Sequence, residues 1–314
     1  MGSGINILCF AASYTVALVL ELFGLWRPLR LSRFAEIAAA GAGLLAQTWY
    51  LGVRVAHQPA APLSSQQEWF LLAAWLLAAV YVAARLYYPQ KSLGLFLLPG
   101  VLGLVGAATL ASSQPLAVYE APRVWGLAHG IFLMLGTIAV LVGFFAGLMY
   151  LIQSYRLKQK KPASAGFRLP SLEWLERTNS RSLGAATLFM LGGFLTGVLT
   201  QLSQDDNERL SWTNPVVLSL SLMTAWLLVA EVFRMVYPAA RQGRKVAYLT
   251  MAAFVFLLLV FASVMWGDSF HGERATRTQS QPSDSEISLL QIENCKSSVS
   301  TFHFPLSTFA GGSP

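Results

Sequence analysis

Residues 125–154, WGLAHGIFLMLGTIAVLVGFFAGLMYLIQS, contain no Asp, Glu, Lys or Arg, and their single histidine is His129. A helix of this length on a soluble protein would carry a polar face. At about 1.5 Å per residue the segment exceeds the roughly 30 Å hydrocarbon layer of a bilayer, so it reads as a membrane span that tilts or projects. Seven further apolar blocks follow the same logic, at roughly 4–26, 34–53, 69–88, 93–112, 182–202, 215–237 and 246–267. The expected fold class is an all-α polytopic membrane protein, a bundle of about eight transmembrane helices. Pro89-Gln-Lys-Ser92 is expected to make a tight turn between the third and fourth spans.

Composition agrees. Of 314 residues, 55% are hydrophobic and 12% charged, where a soluble domain carries about 25% charged residues. A water-soluble enzyme and a disordered chain are both excluded on this ground. The net charge of +7 is read as basic loops beside a membrane rather than nucleic-acid binding. Cys9 and Cys295 form no CxxC or zinc-type pattern. The first basic residue, Arg27, follows the first apolar block, so a cleaved signal peptide is not expected.

Basic residues sort by loop. Sixteen of the 22, among them Arg27, Arg85, Lys158, Lys161, Arg181, Arg234 and Arg244, fall on one side. The other side has only Arg54, Arg123, Arg209, Arg274, Arg277 and Lys296. The first side is expected to face the cytoplasm and both termini the outer side. Ser171-Leu-Glu-Trp-Leu-Glu-Arg177 reads as a short interfacial helix capped by Ser171. The tail, rich in Ser and Thr, is expected to be largely disordered. The organisation expected is four N-terminal helices over 1–122, a four-helix core over 123–272 and an outer tail over 273–314.

All four histidines then lie outside. His57 and His303 sit in a loop and in the tail. His129 is one turn inside the fifth span, and His271 follows the eighth. A histidine within a membrane helix needs a partner, and it is either a hydrogen-bonded structural residue or a ligand. Glu21, Glu36 and Glu231 lie near inner span ends; they could form a proton path, but each can reach an inner-loop arginine or the interface. Asp205-Asp-Asn-Glu208 reads as a solvated loop, and Gly192, Gly193 and Gly197 as a close-packing stripe. No GxSxG, GxxxxGK or HExxH pattern is present. Pro99-Gly100 is a lone interruption without a counterpart in the other half, which disfavours a transporter.

Three stretches in the second half carry a resemblance. They are Trp125-Gly-Leu-Ala-His-Gly-Ile-Phe-Leu-Met-Leu-Gly136, continuing through Gly143–Leu151; Leu172-Glu-Trp-Leu-Glu-Arg177 with the Gly184–Gly197 helix; and Gly243-Arg-Lys-Val-Ala-Tyr-Leu249 leading to Gly267-Asp-Ser-Phe-His-Gly272. Together they resemble the cytochrome c assembly family, the CcsA/CcmC-type haem-handling membrane proteins and their HemX-like relatives. The resemblance covers about residues 124–272. It implies a bacterial inner-membrane protein that binds or presents haem at the outer face, an assembly factor rather than a stand-alone catalyst. It implies His129 and His271 as axial iron ligands. Arg123, Arg209 and Arg274 are then candidates for the propionates, and Trp125, Trp212 and Trp266 for packing on the porphyrin; these tryptophans also suit interfacial anchors. Implied partners are membrane lipid, another cytochrome c assembly membrane protein and apocytochrome c, with no nucleic acid. The chain departs from the family in its loop before the seventh span. That loop carries one tryptophan, Trp212, where the family has a tryptophan-rich haem-presenting loop. No histidine fills the two further intramembrane positions of the synthetase members. A non-haem scaffold or regulator that keeps only the fold is the alternative.

Overall fold

The computed structural model of the protein describes residues 6–26, 30–57, 65–88, 92–113, 123–160, 169–203, 213–237 and 243–279. Eight helices run through them, with no β-strand among the described residues: α1 Ile7–Trp26, α2 Arg30–His57, α3 Gln66–Tyr87, α4 Gly94–Leu110, α5 Arg123–Lys158, α6 Leu172–Leu202, α7 Pro215–Val236 and α8 Gly243–Gln279. Six of them are long and apolar enough to cross a membrane. The protein is an integral membrane protein.

The two remaining helices differ from expectation for separate reasons. Helix α4 has 17 residues, about 25 Å of rise, because Leu93 and Ala111 already stand outside the helix. Helix α2 has 28 residues, but Arg30, Arg33, Glu36 and Arg54 dilute its hydropathy.

Two further expectations are corrected. The interfacial segment is not a separate short helix, because it continues unbroken into the sixth span as α6, 31 residues long. The sequence 177–182 has no Gly or Pro to break it. Ser171 does cap it: its Oγ accepts from Trp174 N at 3.4 Å. Helix α8 runs to Gln279, past Gly267, where the apolar block ends. Polar residues end a span but not a helix, and Glu273, Arg274 and Ala275 are good helix formers. The 89–92 turn, the Asp205–Glu208 run, Cys295 and the tail beyond 279 lie, wholly or in part, outside the described residues.

The chain divides into two units, Met1–Met265 and Trp266–Pro314. In the first, α1–α4 pack through buried Phe10, Tyr14, Leu71, Leu77, Tyr81 and Leu98. Helices α5, α6 and α8 meet where small residues allow it. A Cβ on Gly147 would lie 3.1 Å from Thr250 Oγ1 and 3.4 Å from the α8 backbone at Ala247. With the buried Asn179 amide assigned so that its oxygen faces an N–H, it ties all three: its nitrogen donates to Gly143 O at 3.0 Å and its oxygen accepts from Ala247 N at 3.1 Å. One such polar knot specifies helix register in a bilayer, where apolar faces alone do not discriminate. Phe144 and Phe254 stack beside it, with centroids 3.8 Å apart.

Candidate functional site

On α5, residues 129, 132, 133 and 136 fall at i, i+3, i+4 and i+7, one helical face. Helix α6 meets that face with its glycine stripe. A Cβ on Gly192 would lie 3.1 Å from the Phe132 ring, and one on Gly193 2.6 Å from Leu133 Cδ2. A Cβ on Gly197 would lie 2.8 Å from both Cε1 and Nδ1 of His129. The imidazole therefore sits directly against the α6 backbone, and only glycine at 197 leaves room for it.

This approach closes a hydrogen bond, from His129 Nδ1 to Gly193 O at 2.7 Å. A carbonyl oxygen can only accept, so the proton is assigned to Nδ1. In the neutral ring Nε2 then carries the lone pair, and it has no hydrogen bond among the described residues. The Thr196 hydroxyl donates to the same carbonyl at 3.0 Å. A backbone carbonyl holding one imidazole nitrogen while the other stays free is the usual support of a metal-ligating histidine.

The other expected site residues are placed less fully. Trp125, a turn before His129, is 40% exposed, as either an anchor or a packing residue requires. Arg123 is the first residue of α5, and Trp266, His271 and Arg274 lie on α8 within the second unit. The side chains of these four, and the whole of Arg209, Trp212 and His303, lie outside the described residues, as does the His57 side chain. No group of three or more His, Cys, Asp or Glu side chains that could hold a metal ion is present among the described residues. Haem iron, held by its porphyrin, needs only axial ligands.

Three polar clusters, buried or half-buried, stand apart from His129. Glu36 accepts from Tyr81 Oη at 2.6 Å, Arg85 Nε at 2.8 Å and Arg85 Nη2 at 2.7 Å. Glu21 Oε2 is 3.7 Å from the same Arg85 Nη2, without a hydrogen bond of its own. All four residues are buried. Near the start of α3, Arg54 Nε pairs with Glu68 Oε1 at 2.9 Å, and its Nη1 reaches Tyr50 and Gln67. Glu231 pairs with Arg234, which also bonds Ser180. Of the partners open to these glutamates, an arginine is the one found at Glu21, Glu36 and Glu231. What sequence reasoning missed is that the glycine stripe serves His129. The signal was the 129/132/133/136 face set against Gly193 and Gly197 four residues apart.

Comparison with known proteins places this geometry in context. The chain is 26% identical to the cytochrome c biogenesis protein CcsA of Gloeobacter violaceus over 179 residues, 55% of this chain and 53% of that protein. It is 27% identical over 235 residues to an uncharacterized 28.8 kDa protein in the nifR3-like 5′ region of Azospirillum brasilense, 74% of this chain and 80% of that protein. The chain thus spans about half the length of the CcsA relative. No protein-family profile matches it, and no solved structure does.

Proposed function

We propose that the protein is a cytochrome c assembly factor of the inner membrane that binds haem at its outer face. His129 would hold the iron through Nε2, with His271 as the second axial ligand and Arg123, Arg209 and Arg274 as partners for the propionates. Trp125, Trp212 and Trp266 would pack on the porphyrin. The observation that carries the reading is the His129–Gly193 bond, which fixes the ring and leaves a lone pair on Nε2. The distant relationship to CcsA supports the same class. Bound haem would supply the cargo passed to apocytochrome c, with another assembly membrane protein as partner; this chain's own part is to hold and orient. The single tryptophan of the 203–214 loop favours a second reading, a haem-free scaffold or regulator.

Two experiments bear on this. Replacing His271 with Ala is expected to turn a six-coordinate low-spin haem spectrum into a five-coordinate one that added imidazole restores, while His57→Ala and His303→Ala leave it unchanged. A wild-type spectrum in His271→Ala protein would remove that residue from the site. Reporter fusions test the sidedness: cytoplasmic-type activity is expected at Lys161 and periplasmic-type activity after Gly272, from the bias in basic residues. The reverse pattern would put His129 at the wrong face.

A further inference from the structure

Helices α1, α2 and α3 bring two carboxyl groups and one guanidinium into a single buried group. Arg85 Nη2 lies 2.7 Å from Glu36 Oε2 and 3.7 Å from Glu21 Oε2. Neither glutamate meets a second cation among the described residues. The other titratable member is Tyr81, whose hydroxyl donates to Glu36. Helix α4 closes the remaining side with backbone: a Cβ on Gly94 would stand 2.9 Å from Glu21 Oε2 and 3.0 Å from Tyr81 Oη. With both glutamates ionised the group would carry one net negative charge, although Glu21 is only 4% exposed and Glu36 3%. An unbalanced buried charge is heavily penalised, and a carboxyl group escapes the penalty by holding a proton.

The hydrogen bonds distinguish the two glutamates. Glu36 accepts three, from Tyr81 Oη, Arg85 Nε and Arg85 Nη2, and is the ionised partner of Arg85. Glu21 Oε2 accepts none, and it is too deeply buried for a water molecule or a metal ion to reach it. Yet Glu21 and Glu36 lie in hydrogen-bond contact with each other. Ionised carboxylates are acceptors only, so this contact is a hydrogen bond only when one of the two carries a proton. A proton on Glu21 makes that bond, balances Arg85 against a single carboxylate and leaves no anionic oxygen without a donor. We propose that Glu21 is a proton-binding site: it holds one proton, donates it to Glu36 and so fastens α1 to α2 within an electrically neutral cluster.

The test is the infrared spectrum of the full chain in mild detergent and neutral buffer, for wild type, Glu21→Gln and His129→Ala. The carbonyl stretch of a protonated carboxyl group stands apart from the carboxylate bands and shifts when the protein is prepared in D2O. Wild type is expected to show such a band, which Glu21→Gln lacks and His129→Ala keeps, so the proton site and the haem site fail separately. Thermal stability gives a second readout. Gln is the uncharged isostere of a protonated Glu, so Glu21→Gln should melt close to wild type. Glu36→Gln strips the ionised partner from Arg85 and should lower the midpoint clearly. A wild-type spectrum without a band that Glu21→Gln removes would mean that both glutamates are ionised and would overturn the proposal. A Glu21→Gln midpoint lowered as far as that of Glu36→Gln would overturn it as well.

Discussion

Arg85→Met is expected to destabilise the protein by about 3–5 kcal/mol, the cost of leaving buried charge without its counterpart. Arg85 gives Glu36 two hydrogen bonds and stands 3.7 Å from Glu21. Both carboxylates are within 4% of full burial, so water cannot replace the guanidinium. The loss is read as a lower thermal midpoint of the protein in mild detergent and a smaller monodisperse fraction. Arg85→Lys should fall between wild type and Arg85→Met, because an ammonium cannot reproduce the paired donors to Glu36. Adding Glu21→Gln and Glu36→Gln to Arg85→Met should recover part of the loss by removing the stranded charge. Arg177→Met is the control: its bridge to Glu173 is mostly exposed and contributes about 0–1 kcal/mol. If Arg85→Met and Arg177→Met melted alike, the buried cluster would not hold α1, α2 and α3 together.

Gly197→Ala is expected to weaken haem binding about 10–100-fold, the usual cost of disturbing the support of a metal-ligating histidine. The new methyl group would stand 2.8 Å from two atoms of the His129 ring, closer than real Cβ atoms come to anything. Either the ring moves off the Gly193 carbonyl or α6 moves off α5, and both disturb the direction in which Nε2 points. Gly184→Ala on the same helix meets nothing nearer than 3.6 Å and should leave haem affinity unchanged. Equal affinity in wild type and Gly197→Ala, measured by haem titration, would show that the α6 surface does not orient the ligand.

The helices were legible because the hydrocarbon layer demands long apolar runs, and residues 125–154 could be nothing else. Where hydropathy misplaced element ends, it did so because it reports polarity and not backbone hydrogen bonding. Glu273 and Arg274 end the apolar run of α8 but prolong its helix, and Glu173 to Arg177 read as interfacial yet run on into α6. The Glu–Arg pairings were legible as neighbourhoods. That Arg85 answers two glutamates from two other helices was not, because helix rotation is set by packing. His129 stood out from the sequence as the one histidine inside an expected span. Its partner is a backbone carbonyl, which any residue supplies, so no side chain announced it. The glycines that let the carbonyl approach were the only trace, and by themselves they read as packing.

The central claim is that His129 Nε2 is an iron ligand. The most direct test is the absorption spectrum of the protein purified in mild detergent from haem-replete cells, taken for wild type and His129→Gly with and without imidazole. The account predicts a low-spin haem spectrum in wild type, its loss or conversion to a five-coordinate form in His129→Gly, and its return when imidazole fills the vacated position. Wild-type protein that carries no haem and takes none up, or a His129→Gly spectrum identical to wild type, would contradict it.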